Sequence, residues 1–192
     1  MSVREVLEIG HPVLRERARE LSAEELAAPQ TQRLIDDLIA TKRAAHGAGL
    51  AANQVGEAVR VAVVEVEPEN PRYPYKPPFP LTVIVNPELE PLSDDYEEID
   101  EGCLSVPGLR GSVPRCMEVA VRYLDRSGEP RSLTASGLTA GTFQHEVDHL
   151  DGVLFLDRVA DPGSLSTWEQ WERRRRPEFE RRAREIVERH GG

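Results

Sequence analysis

Hydrophobic positions return at helical spacing in some stretches of the chain and at strand-like density in others. Over 32–46, Leu34, Ile35, Leu38, Ile39 and Ala45 recur every three or four residues, which predicts an amphipathic helix ended by Gly47-Ala48-Gly49. Upstream, residues 1–22 open extended, are interrupted by Gly10 and Pro12, and are expected to hold a short helical piece ending near Leu21-Ser22. Ser22-Ala23-Glu24-Glu25 has the form of a capping box. Stretches 59–66 and 81–85 are rich in β-branched residues and predict strands, the second closed by Asn86-Pro87. Further strands are expected around Val113, over 118–124 and over 131–134, with Ser127-Gly128-Glu129 as the hairpin turn between the last two. A central helix should begin near Ser136-Gly137 and stop by Gly152, a suitable residue just past a helix end. A last helical region, 164–190, contains Pro177, which would kink it or start a new segment.

Two segments carry no such period. Between Glu67 and Pro80 lie six prolines (68, 71, 74, 77, 78 and 80) with Tyr73, Tyr75 and Phe79 among them. They read as an irregular surface loop, with a proline-rich partner motif as the alternative. Residues 94–101 form an acidic patch leading into Gly102-Cys103-Leu104-Ser105. Strands that precede and flank one central helix predict an α+β fold, with small antiparallel or mixed sheets around that helix, rather than a doubly wound parallel sheet. Residues 1–163 are expected to form the main domain, and 164–192 a helical extension of it. No internal repeat is present.

Composition narrows the classes. A net charge of −10 over 192 residues argues against a general nucleic-acid binder. The stretch 168–190 departs from it, with eight arginines against six glutamates. No apolar run approaches membrane-spanning length, and the N-terminus lacks a signal-peptide profile. Two cysteines, Cys103 and Cys116, are too few for a disulfide framework, so a reducing, cytoplasmic setting is expected. An organelle origin stays open.

The chemistry-bearing stretch is Gln144-His145-Glu146-Val147-Asp148-His149-Leu150. On a helix His145 and His149 project from one face, about 6 Å apart along the axis, so both imidazoles reach one metal ion. Glu146 lies beside them, placed to handle the proton of a water at that metal. Two histidines leave a catalytic site one protein ligand short. Cys103 is the leading candidate, in a glycine-containing turn that can aim its sulfur inward and expose the Leu104 N–H. A lone cysteine is otherwise a small buried hydrophobe. The third island is Gly47-Ala48-Gly49-Leu50-Ala51-Ala52-Asn53-Gln54, where two glycines permit close backbone approach and Gln54 offers a neutral amide donor. The same glycines could equally cap a helix.

Together the islands at 47–54, 101–105 and 144–150 resemble the Gly-x-Gly-Leu-Ala-Ala-x-Gln, Glu-Gly-Cys-Leu-Ser and Gln-His-Glu-x-Asp-His-Leu motifs of the peptide deformylases, in the same order. Further agreement lies in Ile9-Gly10-His11-Pro12-Val13-Leu14, in Val106-Pro107 with Arg110 and Arg115, and in 152–158, so the likeness spans roughly residues 5 to 160. It implies removal of the formyl group from the N-formylmethionine of new polypeptides in a bacterial-type cytoplasm. One Fe²⁺ per chain, replaceable by Zn²⁺, Ni²⁺ or Co²⁺, would be held by Cys103, His145 and His149. Glu146 would act as general base and then acid. Gln54 and the Leu104 N–H would stabilise the formyl oxyanion, and the Gly49 and Gly102 backbones would pair with the extended peptide. A thiolate-ligated Fe²⁺ site is expected to lose activity in air.

A zinc peptidase is the rival reading. Position 155, where a third histidine would belong, is Phe155, and Glu169 and Glu172 lie in no matching motif. A structural metal would normally need four protein ligands, and the motifs name only three. Leu138, Gly141 and Thr142 share the His145 face and, with Ala48, should border the methionine pocket, which their small size predicts to be roomier than usual. Asp148 is expected to pair with Arg115. The arginines at 173–176 and 181–189 read as a solvated helix face or as a ribosome contact. On the second reading, deleting 165–192 would spare activity on small peptides.

Overall fold

The structure, a computed structural model, describes residues 2–192. In chain order it contains α1 (Ala23–Ala27), α2 (Pro29–Ala44), β1 (Gly49–Ala51), β2 (Val61–Val66), β3 (Phe79–Pro91), β4 (Tyr96–Cys103), β5 (Val106–Cys116), β6 (Glu118–Leu124), β7 (Pro130–Ser136), α3 (Gly137–Leu150), α4 (Phe155–Arg158), β8 (Ser166–Thr167), α5 (Trp168–Arg174) and α6 (Arg176–His190). An antiparallel five-stranded sheet runs β1-β2-β3-β6-β7 and a three-stranded one runs β4-β5-β8, which is the α+β architecture expected.

Helix α3 is the axis of the packing. Ala140, Phe143 and Leu150 enter the large sheet among Val64, Ile84, Val119 and Val121. Leu138, on another side, meets Ile99, Met117 and the tail residues Trp171, Phe179, Ala183 and Ile186. Helix α2 covers the opposite face of β2 through Leu34, Ile35, Leu38 and Ile39 against Val61 and Val63. Both helix ends follow local chemistry. Ser22 accepts from the Glu25 N–H while Glu25 accepts from the Ser22 N–H, the reciprocal cap expected, and it heads α1. Gly152, at φ 74°, closes α3 with its N–H on the His149 carbonyl; a Cβ there would stand 2.6 Å from the Arg15 carbonyl oxygen.

Several expectations change. Among the described residues no α-helix precedes Leu21: a 3₁₀ turn, Pro12–Arg15, stands there, because Pro12 starts a turn that has no amphipathic face to continue it. Helix α2 starts at Pro29 and stops at Ala44; His46 takes φ 52°, and Gly49 belongs to β1 instead of a helix cap. Asn86-Pro87 does not close β3. Asn86 turns through φ 48° in a bulge and its amide clasps both backbone groups of Leu21, so the strand resumes. The acidic patch is largely β4, paired with β5, where basic partners hold its carboxylates: Glu101 meets Arg115 and Glu97 meets Arg189. Pro177 starts a segment, lying in the first turn of α6. Among the described residues no helix is long and apolar enough to cross a membrane.

Candidate active site

Three segments distant in sequence converge at one end of the groove beside α3. His145 and His149 lie one turn apart with ring centroids separated by 4.9 Å. The end of β4 carries Cys103 to them, its Sγ 3.1 Å from His149 Nε2. One ligand atom from each of the three residues lies within 4.8 Å of the other two, a spacing that one metal ion spans. Burial opposes ionisation of the Cys103 thiol, yet the imidazoles of His149 and His145 outweigh it and hold the thiol well below its usual range. The donor set, one thiolate and two imidazoles, suits a first-row divalent ion.

A second layer orients the first. His145 Nδ1 lies 2.8 Å from Glu101 Oε2, which leaves the other ring nitrogen to face the cluster. Burial would raise the Glu101 carboxyl, but Arg115 and His145 keep it well below the carboxylate range. Arg115 grips Glu101 at 2.7 and 3.0 Å and reaches Asp148 at 2.6 Å, so the expected Arg115–Asp148 pair is present within a larger network. Glu101 itself carried no predicted role, although its place two residues before Cys103 was the available signal.

Glu146 is 3 % exposed, and its Oε2 has no hydrogen-bond partner. Burial pushes its carboxyl up, only partly offset by His145 and His149. The carboxylate lies against Gly49, where a Cβ would come within 2.3 Å of Glu146 Oε1, so the glycine makes room for the acid. Gln54 is pinned by its Oε1, which accepts from the Ala51 N–H at 2.9 Å; its Nε2 donates to Ser105 Oγ at 3.0 Å and faces Cys103 Sγ at 3.6 Å. Gly49 lies on β1, an edge of the large sheet, and Gly102 on β4, an edge of the small one, and both border the same cavity.

That cavity is also lined by Ala48, Leu104, Leu138, Gly141 and Thr142, so the predicted pocket residues are together. Its free volume is about 50 Å³. Ile99 fills the space above Gly141, its Cδ1 2.7 Å from where a Cβ would lie. The proline-rich segment supplies further walls, Tyr73, Tyr75 and Lys76, so it is a side of the groove more than a free surface loop. Phe155 is buried in the cluster around Cys103, and Glu169 and Glu172 pair with Arg173 and Arg176, which removes the peptidase ligands.

The model of the polypeptide deformylase family matches residues 3–164. The chain belongs to the polypeptide deformylase family. Peptide deformylase 2 of Nostoc sp. is 43 % identical over 87 % of this chain and 92 % of its own length. The class I type b peptide deformylase of Acinetobacter baumannii, solved with Met-Ala-Ser bound, is 42 % identical with a TM-score of 0.79, covering 83 % of this chain and all of that one. The peptide deformylase of Synechococcus elongatus, solved in complex with actinonin, is 32 % identical with a TM-score of 0.73 and covers 97 % of this chain and 85 % of that one. The protein is thus a peptide deformylase-type hydrolase of a metal-dependent family, with Cys103, His145 and His149 grouped as a candidate metal site.

Proposed function

We propose that the enzyme removes the formyl group from N-formylmethionine at the start of nascent polypeptides, with one Fe²⁺ held by Cys103, His145 and His149, and Zn²⁺, Ni²⁺ or Co²⁺ able to replace it. The observation that carries this reading is the trio of donors within 4.8 Å of one another, beside a buried carboxylate that has an unpaired oxygen. A divalent ion bound there supplies Lewis acidity toward water and the formyl carbonyl. Glu146 takes the proton of the attacking water and returns it to the departing amine nitrogen, a role helped by its raised pKa. The C–N bond of the formamide breaks, a C–O bond forms, and formate leaves with a free N-terminus. Gln54 Nε2 and the Leu104 N–H donate to the oxygen on which charge grows, and loss of either would raise the barrier by on the order of 3 kcal/mol. The edge positions of Gly49 and Gly102 fit pairing with an extended peptide as an added strand. Leu138, Gly141, Thr142 and Ala48 surround its first side chain.

Formate release from formyl-Met-Ala-Ser by anaerobically purified enzyme tests the reading. It should vanish in Glu146→Gln, and internal peptide bonds should stay intact. Absence of formate release by the metal-loaded enzyme would end it. The iron form should lose activity in air. A cytoplasmic location accords with this substrate. Ribosome contact through the tail rests on Arg173, Arg174, Arg181 and Arg184, which face outward. Charge reversal at Arg181 and Arg184 tests it, with unchanged low-salt ribosome co-sedimentation as the refuting result.

A further inference from the structure

The proline-rich segment brings one cation into the cavity. Lys76 Nζ donates to Thr142 Oγ1 at 2.7 Å, one turn before His145 on α3. The Thr142 hydroxyl spends its own proton on the Leu138 carbonyl at 3.1 Å, so toward Lys76 it is an acceptor only. No carboxylate among the described residues lies within 4.0 Å of the ammonium. Glu101 is engaged by Arg115 and His145, and Glu146 acts on Lys76 only at longer range. The Tyr73 ring, with its centroid 5.2 Å away, is the other near neighbour. Burial accordingly pushes the Lys76 ammonium down to about 8, Glu101 opposing. A part-buried ammonium with one protein hydrogen bond has N–H groups left to give to an acceptor that enters the cavity.

The segment that carries Lys76 is held in place. Asn70 Oδ1 accepts from the Arg72 N–H at 2.9 Å, and Asn70 Nδ2 donates to the His46 carbonyl at 3.3 Å. Arg72 stacks on Trp168 at 5.0 Å, and Tyr75 packs edge-on against Phe179 at 5.0 Å while its hydroxyl accepts from Arg110 Nη2 at 3.1 Å. The ammonium is therefore a positioned wall of the first-residue pocket, beside the apolar Ile99, Leu138 and Gly141, in a cavity that Tyr73, Tyr75 and Arg110 also line.

We infer that Lys76 is a specificity-determining residue, and that with Thr142 it makes this pocket select formylated first residues whose side chains end in a hydrogen-bond acceptor. Glutamine and methionine sulfoxide are the chemical class, a hydrocarbon of the same length is the disfavoured one, and the methionine thioether, a weak acceptor, falls between. The inference rests on the deformylase reading and adds the chemistry of the pocket to it.

The test measures kcat/KM for formyl-X-Ala-Ser, with X methionine, norleucine, glutamine or methionine sulfoxide, on the wild type and on Lys76→Met and Thr142→Val. Turnover of the methionine peptide by the wild type stands for the deformylase reading and is scored separately. In Lys76→Met the glutamine and sulfoxide peptides should lose about tenfold, the size of one charged hydrogen bond, while norleucine holds or gains. Thr142→Val, which unseats the ammonium, should move the same ratios in the same direction. An equal loss for all four peptides, as a backbone contact would give, overturns the inference. So does an equal gain, as removal of a simple plug would give. Unchanged ratios overturn it as well. Thermal melts of both variants separate lost contact from lost fold.

Discussion

Arg115 and Asp148 are joined in the interior, Nη1 2.6 Å from Oδ2, with the arginine 2 % exposed. The same guanidinium holds Glu101, and Arg158 grips the other side of Asp148 at 2.9 and 2.6 Å. One ionic network thus ties β4 and β5 to the turn of α3 that carries His149 and to α4. Arg115→Ala would strip the buried Glu101 of its main partner and Asp148 of one of its two, and is expected to cost about 3–5 kcal/mol in urea unfolding. A loss below about 1 kcal/mol would mean that water reaches the site.

Glu101→Gln removes the charge that orients His145 Nδ1 without removing a ligand. Metal affinity of the stripped protein, measured by competition with a chelator, should fall roughly 10- to 100-fold. Affinity equal to wild type would show that helix α3 alone sets the ring.

A second charged cluster lies behind the Gly47–Gly49 wall of the cavity, where the Glu65 N–H donates to the Ala48 carbonyl at 3.0 Å. Glu65 on β2 takes Arg43 at 2.7 Å and the fully buried Lys42 at 2.8 Å. The Arg43 hydrogen bond, with Lys42 helping and burial opposing, holds the Glu65 carboxyl at about 2, against an ordinary value of 4.5. A carboxyl depressed in the folded state stabilises it fully above 4.5, and that stability drains away as pH falls from 4.5 toward 2. The stake is on the order of 3 kcal/mol. Urea midpoints of wild type and Glu65→Gln should differ most near neutral pH and converge across that window. A gap that stays constant down to pH of about 2 would contradict the assignment.

Trp171, Phe179, Ala183 and Ile186 are buried against Ile99 and Leu138, two residues of the cavity wall. The tail is therefore part of the core, and its removal is not expected to spare activity on small peptides. Phe179→Ala should cost about 3–5 kcal/mol of stability and raise KM for formyl-Met-Ala-Ser, since Tyr75 and Leu138 lose their backing. Wild-type KM in a folded Phe179→Ala protein would uncouple the tail from the groove.

Local spacing made much of this legible. Histidines at i and i+4, the reciprocal cap at Ser22 and Glu25, the glycine closing α3 and the hairpin at Gly128 each depend on a few neighbouring residues. The bulge at Asn86 and the β4 strand were not legible, because a clasp on Leu21 and a partner strand carrying Arg115 come from elsewhere in the chain. The proline-rich segment was the largest miss. Its lack of period correctly argued against a regular element, but Tyr73, Tyr75 and Lys76 acquire their positions from α3 and α6, which follow it by many residues.

By itself the sequence determined the chemical inventory: two imidazoles on one helical face, a carboxylate between them, a cysteine and an amide in glycine-bearing turns, and the order of the elements. Tertiary structure alone decided that Cys103 meets His149, that Glu101 orients His145, and that Ile99 and Lys76 shape the pocket. Helical period is a property of adjacent backbone, whereas these meetings depend on how two sheets close around α3, which no short stretch of chain encodes.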